Sequence, residues 1–424
     1  MRILVYPHDL RMGGSQLNAI ELGAAVQRLG HDVLLFGQPG PLAQVAVDLG
    51  LEFVPAPLPR KRPSPAVVRA LVRTVRERRV DILHGYEWPP ALESLAASKL
   101  APGTTAVATV MSMAVAPFIP KSMPLMVGTE QILQWESSRR RRDVHLMEPP
   151  VDTHANQVSA TADSEAFRHK FALTDATLNV VCVTRLAREL KLEGIISAMD
   201  AVHRLSRENP VRLIIVGTGP AAEEVSHRAA MINEASGRNT VRLTGELADP
   251  RPAYAAADVV LGMGGSALRG LSFGKPLVVQ GEGGFWELLT AESLPAFLWQ
   301  GWYGSGPGTA GPGSSGLVSI LRGLLEDRPL RDVLGAFGRG VVEDRFTLSS
   351  AAQRQTELYK RFAASVQSPA STVAAEVAAM ARYSGYVGKR RGQRLLGRQP
   401  MDDFNARPVA MAPSASEVPA GVKT

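Results

Sequence analysis

Cysteine is all but absent: the 424-residue chain has one, Cys182. A single thiol excludes an intramolecular disulfide, argues against a cysteine-built structural zinc site and suits a reducing, cytoplasmic setting. Long apolar runs are missing as well. No stretch reaches the roughly 20 residues that a bilayer-crossing helix needs, and the N-terminus, with a single early Arg2, has no secretory h-region or small-residue cleavage site. There is no Asp-x-Asp placed to hold a metal and no solenoid-type repeat. The basic clusters lack interleaved aromatic residues, which counts against nucleic-acid binding. The opening strand is not followed by the three-glycine pattern with an acidic residue about 20 positions later, which counts against a nicotinamide dehydrogenase.

What is present is ordinary in amount and uneven in placement. Hydrophobic residues at 45% and charged residues at 21% are globular values, and the length exceeds one ordinary core, so two domains and some tail are expected. The net charge of +7 gathers in PRKRP at 59 to 63, RRRR at 139 to 142 and KRRGQRLLGR at 389 to 398. Such clusters attract phosphates of lipid headgroups or nucleotides. The plain alternative for each is a solvated loop.

Apolar, β-branched runs alternate with helical patterns, the signature of parallel sheets covered by crossover helices. The first series of strands reads RILVY, DVLLF, LEFV, DILHG, AVATV, PLMVG and VHLME. A second reads LNVVCV, RLIIVG, VRLTG, DVVLG and PLVVQ, so two doubly wound halves meet around residues 150 to 175. GSGPGTAGPGSSG at 304 to 316 is a loop by composition, and closing helices follow it. From about 366 onward the Ala-, Ser- and Pro-rich sequence reads as weakly ordered, with a short helix at AAEVAAMARYSGYVGKRR.

Several stretches could carry chemistry. MGGSQLNAIELG places Gly13, Gly14 and Ser15 at a strand-to-helix turn, where bare backbone amides and the helix dipole favour an anion; the alternative is a tight turn and nothing more. Arg185 and Lys191 in VTRLARELKLEG follow a strand at the sheet edge where ligands of open α/β folds bind, and two cations there suit a diphosphate. Gly217 in IIVGTGP formally opens a dinucleotide fingerprint, although a turn holding helix to sheet is the simpler role. Gly264, Gly265 and Ser266 repeat the opening motif, with Arg269 on the helix behind them. Glu282 and Glu287 flank the Gly-Gly turn of QGEGGFWELL, where carboxylates would serve sugar hydroxyls.

In their order, these motifs over residues 1 to about 364 resemble the GT-B glycosyltransferases, in particular glycosyltransferase family 4. VDILHGYEW is similar to the family's Asp-x-x-His strand end, and RLARELKLEG to its donor-phosphate segment. The resemblance implies an α/β GT-B fold, two Rossmann-like doubly wound domains facing a cleft. The expected divisions are an acceptor-side domain at 1–165, a nucleotide-sugar donor domain at 175–345, a helix crossing back at 346–365 and a weakly ordered basic tail at 366–424. It implies that Arg185 and Lys191 hold the donor diphosphate, that Gly264 to Ser266 present amides to it, that Glu287 lies near the nucleotide sugar and that Gly13 and Gly14 line the opposite side. His84 becomes a candidate to accept an acceptor hydroxyl's proton, or else merely ends a strand. Two departures stand out. The family's paired glutamates are missing, with Leu261 and Arg269 roughly in their places, and its histidine after the TVxT-like strand gives way to Met111 or Ser112.

The expected activity is transfer of a hexose-type sugar from a nucleotide-sugar donor, retaining, with no metal and no further cofactor. The acceptor is unknown, and the first-domain clusters suggest an anionic or lipid-linked one, with a cytoplasmic chain peripheral at the membrane's inner face. The alternatives are a nucleotide-sugar-binding partner protein without transfer activity, or a GT-B nucleotide-sugar epimerase.

Overall fold

A computed structural model describes residues 1–139, 143–160, 164–174, 176–365 and 369–397. The chain divides into two compact units, one gathering Met1–Pro149 with the described chain from Leu348 onward, the other Pro150–Thr347. No helix among the described residues is long and apolar enough to cross a membrane.

The first unit runs β1 (Arg2–Tyr6), α1 (Gly14–Arg28), β2 (Asp32–Gly37), α2 (Pro41–Asp48), β3 (Glu52–Pro55), α3 (Pro65–Arg78), β4 (Ile82–Tyr86), α4 (Pro90–Leu100), β5 (Thr105–Val110), β6 (Leu125–Val127), α5 (Glu130–Arg139) and β7 (Val144–Leu146). Its sheet is parallel throughout, in the order β3-β2-β1-β4-β5-β6-β7. Helices cover both faces, so a strand such as β4 is buried along its whole length, and any polar side chain on it must find a partner inside. Helix starts follow local chemistry: Pro65 opens α3, and the Ser64 side chain accepts the Val67 amide.

The second unit runs α6 (Ser164–Lys170), β8 (Leu178–Val183), α7 (Leu192–Leu205), β9 (Val211–Val216), α8 (Ala222–Ser236), β10 (Val241–Gly245), α9 (Arg251–Ala255), β11 (Val259–Gly262), α10 (Gly265–Ser272), β12 (Leu277–Gln280), β13 (Trp286–Leu288), α11 (Leu294–Gln300), α12 (Gly313–Glu326) and α13 (Arg328–Arg345). The sheet order is β10-β9-β8-β11-β12-β13, parallel except for the antiparallel edge pair β12 and β13. Each sheet thus has a switch point, where the chain turns from building one flank to building the other: between β1 and β4 in the first unit, between β8 and β11 in the second. Open α/β folds bind ligands beyond the carboxyl ends of strands at such points.

Two further helices, α14 (Leu348–Ala364) and α15 (Pro369–Leu395), return to the first unit. The Tyr359 and Phe362 side chains of α14 enter the core that α1 shares with the sheet. The stretch from 366, expected to be weakly ordered, is corrected over 369–395, where α15 forms a helix of 27 residues. Its Tyr383 and Tyr386 rings pack on Trp88 and Phe118, which supplies the large apolar contacts that the Ala-rich composition hides. Arg140 to Arg142 of the second basic cluster and Arg398 of the third lie outside the described residues.

Candidate active site

The second unit's switch point is built around the loop after β8. Gly217 and Gly219, at the end of β9, hold positive φ values of 136° and 159°, and a Cβ on either would stand 2.0 Å from the Thr184 carbonyl oxygen or 2.5 Å from that of Leu186. These glycines let the β9 turn lie directly against residues 184 to 186. Hydrogen bonds then lock the two loops together: the Thr184 amide donates to the Val216 carbonyl at 2.9 Å, the Leu186 amide to Thr218 at 3.0 Å and the Ala221 amide to Leu186 at 2.8 Å. Gly217 is thereby corrected from a donor-binding residue to a packing residue. What it fixes is the backbone carrying Arg185, whose side chain is exposed and has no ion-pair or hydrogen-bond partner among the described residues.

Lys191 stands six residues on, at the N-cap of α7, its carbonyl held by the buried Gln280 side chain at 3.1 Å. No carboxylate pairs with its ammonium among the described residues. Burial pushes it down from 10.5 to about 8, with the Cys182 thiol beneath it acting weakly the other way. An unpaired, part-desolvated cation is costly unless something anionic completes it.

Beyond β11, Gly264 takes φ 57° and ψ −133°, a conformation that a side chain resists, and starts α10. A Cβ on Gly264 or Gly265 would meet nothing within 4 Å, so the turn opens onto free space with its first amides uncapped by any side chain. The Ser266 hydroxyl is turned back on the Met263 backbone, donating to its carbonyl at 3.0 Å. Arg269 acts on the buried Tyr254, whose hydroxyl is pushed well above its ordinary pKa by burial, with the Arg269 charge opposing that rise only in part.

The expected donor glutamates are engaged elsewhere. Glu282 accepts the Tyr303 hydroxyl at 2.8 Å, and Glu287 accepts the Thr309 hydroxyl at 2.6 Å and its amide at 2.7 Å. Both tie the 301–311 loop to the sheet. A residue that the sequence reading passed over, Glu193 in the first turn of α7, fills the Gly-Gly turn itself: its carboxylate accepts the Gly284 amide at 2.7 Å and the Gly283 amide at 3.1 Å. That turn therefore holds an internal anion.

In the first unit, His84 is corrected outright. It is fully buried in β4, its Nδ1 at 2.6 Å from the Tyr359 hydroxyl and its Nε2 at 2.7 Å from the Thr109 hydroxyl. Burial drives its pKa down to about 3, so it stays neutral and pins α14 to the sheet instead of reaching an acceptor. The carboxylate at this edge is Glu87, one residue past β4, buried and in the left-handed region at φ 63°. It accepts the Met111 amide at 2.8 Å, the Ser112 amide at 3.1 Å and the Ser15 hydroxyl at 3.1 Å. Its signal in the sequence is an acid directly after a buried strand, in HGYEWPP.

Gly13 caps α1 in extended backbone with no side-chain cap, and a Cβ on Gly14 would meet nothing within 4 Å. Glu87 through Ser15, and Asp9 through Gln16 at 2.8 Å, already supply negative charge to this helix start. The two glycine turns are therefore not equivalent. The one before α10 follows β11, the neighbour of the strand that leads into the Arg185 loop, whereas the one before α1 is acid-lined and suits neutral hydroxyls.

Two family models match the chain: one described as glycosyl transferase 4-like domain over residues 13–169, the other as glycosyl transferases group 1 over 177–298. A curated relative, a GDP-mannose-dependent monoacylated alpha-(1-6)-phosphatidylinositol monomannoside mannosyltransferase of Corynebacterium glutamicum, is 26% identical over 327 residues, spanning 70% of this chain and 80% of that one. Among solved structures, a glycosyltransferase from Rickettsia africae superposes with a TM-score of 0.68 at 14% identity, over 86% of this chain and 99% of that one. Anabaena HepE in complex with UDP-glucose gives 0.66 at 15% identity, over 85% and 100%. With the two models together reaching across both units, the chain belongs to the GT-B, family 4-like glycosyltransferases, enzymes that draw on nucleotide-sugar donors.

Proposed function

We propose that this enzyme transfers a hexose with retention of anomeric configuration, from a nucleoside-diphosphate donor held at the second unit's switch point to an anionic or lipid-linked acceptor met by the first. The observation that carries the reading is the coincidence, on one sheet edge, of two cations without acidic partners, Arg185 and Lys191, with an open, uncapped helix start at Gly264 and Gly265. The Arg185 fork suits paired diphosphate oxygens, the Lys191 ammonium acts as a point charge, and the α10 amides face what is bound before them. As the bond from the anomeric carbon to the diphosphate oxygen breaks, negative charge grows on the leaving group. These three sources stabilise it without rearranging. The acceptor oxygen bonds to the same face of the sugar and its proton passes to the departing diphosphate, so no protein nucleophile is required.

On the acceptor side, Gly13, Gly14 and Ser15 with Glu87 offer a hydroxyl-binding edge. The lipid-linked reading draws on Arg60 and Lys61, exposed in the same unit, and on the acceptor named for the Corynebacterium relative. Arg62 of the same cluster is not available, since it pairs with the buried Glu93 at 3.0 Å. The test is a thermal-shift screen with GDP-mannose first and UDP-glucose second, followed by product analysis. Stabilisation by one donor that disappears in Lys191→Ala supports the reading, whereas equal stabilisation of both proteins, or an inverted product, overturns it.

A further inference from the structure

The strongest feature outside this site is the outer face of α15. Among the described residues, the large apolar side chains at least 55% exposed are Leu58, Leu100, Val333, Val373, Val377, Met380, Leu395 and Leu396. All but Val333 lie on α15, directly after it, or beside it. Leu100 follows Lys99, which pairs with Glu376 of α15 at 2.8 Å, and Leu58 precedes Arg62, whose carbonyl accepts the Tyr383 hydroxyl at 2.8 Å. Val373, Val377 and Met380 fall at i, i+4 and i+7, one stripe of a helix about 40 Å long, and continuing that stripe by the same steps reaches Arg391 and Arg394. A neighbouring face is the one that docks, through Ala379, Tyr383 and Tyr386.

Charge settles what this face meets. Glu376 is the only acid between 369 and 397, and Lys99 neutralises it; against it stand Arg382, Lys389, Arg390, Arg391 and Arg394. Arg390 is occupied by Tyr386, but Lys389, Arg391 and Arg394 are exposed. Arg60 and Lys61 add two exposed cations next to Leu58. An apolar stripe interleaved with cations, on a helix too polar to insert, is the pattern of a segment lying in the headgroup plane of an anionic bilayer.

We propose that α15 and the 58–61 loop together form a membrane-docking surface that seats the first unit on anionic lipid. It deepens the lipid-side acceptor reading and gives that reading a physical surface, yet it is measured without donor or acceptor, so the two fail separately. The experiment is co-sedimentation of the full chain with vesicles of phosphatidylcholine alone or with added phosphatidylglycerol, at low and high sodium chloride. The chain is expected to bind only the anionic vesicles, with salt-sensitive affinity. Each cation near the surface contributes about fivefold, so K389Q/R391Q/R394Q binds about a hundredfold more weakly. Val377→Ser with Met380→Ser, both on exposed positions, also weakens binding while leaving the melting temperature and the donor-induced thermal shift unchanged. Equal binding to neutral vesicles, no binding at low salt, or wild-type binding by the triple variant overturns the proposal. A dimer that forms without vesicles and dissociates in the Val377→Ser, Met380→Ser variant gives the face to a second copy of this chain, and overturns it equally.

Discussion

Lys191 offers the sharpest test, because its unusual state changes when a diphosphate arrives. Alone, the ammonium titrates near 8 where 10.5 is ordinary, since burial penalises its charge and no carboxylate offsets the penalty. The gap corresponds to about 3 kcal/mol of charge stabilisation that the site lacks and a bound diphosphate can restore. Binding therefore takes up a proton. At pH 7 the lysine is already protonated in about nine molecules of ten and uptake is small; at pH 8 it is about half a proton, and at pH 9 it approaches one. Affinity stays flat below pH 8 and falls about tenfold per pH unit above it, until the pKa of the complex is reached. Calorimetry of nucleoside-diphosphate binding in two buffers of different ionisation enthalpy reads this uptake directly. Lys191→Arg, whose charge does not titrate, abolishes the pH dependence, and Lys191→Ala lowers affinity by about a hundredfold at pH 7. Binding at pH 8 with no proton uptake, or undiminished affinity in the alanine variant, refutes the placement of the diphosphate.

Gly265→Ala separates a ligand role from a structural one: the residue is at the first position of α10 with no positive φ and free space around its Cβ. The variant is expected to gain about 0.5 kcal/mol of stability in denaturant melts while donor affinity falls at least tenfold, about 1.4 kcal/mol. Arg62→Met leaves the fully buried Glu93 without its cation and costs about 3 to 5 kcal/mol, of which a double variant with Glu93→Gln recovers a good part; wild-type stability in the single variant would contradict the buried pair. His84 has a folded pKa below its unfolded one, so the unfolded chain binds the extra proton between pH 6.5 and about 3 and stability falls as acid is added. The loss between pH 7 and pH 5 is about 2 kcal/mol, read from urea midpoints, and His84→Gln flattens it, while the pH–rate profile above pH 5.5 carries no His84 inflection.

The twelve strands read from the sequence are all present, because parallel strands covered on both faces have to be continuous apolar runs. β13 was not legible: Trp-Glu-Leu is three residues long and pairs antiparallel at an edge, where neither length nor alternation gives a signal. The placement of Arg185 and Lys191 after β8 and of the glycine turn before α10 was legible, since it follows from strand ends alone. The glutamates and His84 were not. His84 is sealed by Tyr359, 275 positions away, and Glu287 is claimed by a threonine in a loop that composition describes only as flexible-looking. The same holds for α15, whose order depends on Trp88 and Phe118, far off in the chain. Burial and partner choice are properties of the folded surface, and one-dimensional spacing carries them only when the partners are neighbours.

The interlocked glycines at 217 and 219 have a kinetic corollary. With no gap between the β9 turn and residues 184 to 186, the segment carrying Arg185 is already set, and for a donor bound there as proposed only the side chain's own rotamers, about 2 kcal/mol of freedom, remain to be frozen. Capture of a sugar nucleotide at the proposed site is then an encounter with a rigid wall, whose speed depends on diffusion and charge and not on waiting for a flap to fold. A bulkier residue at 217, without touching any ligand, would turn that wall into a moving part and make release and rebinding depend on its motion.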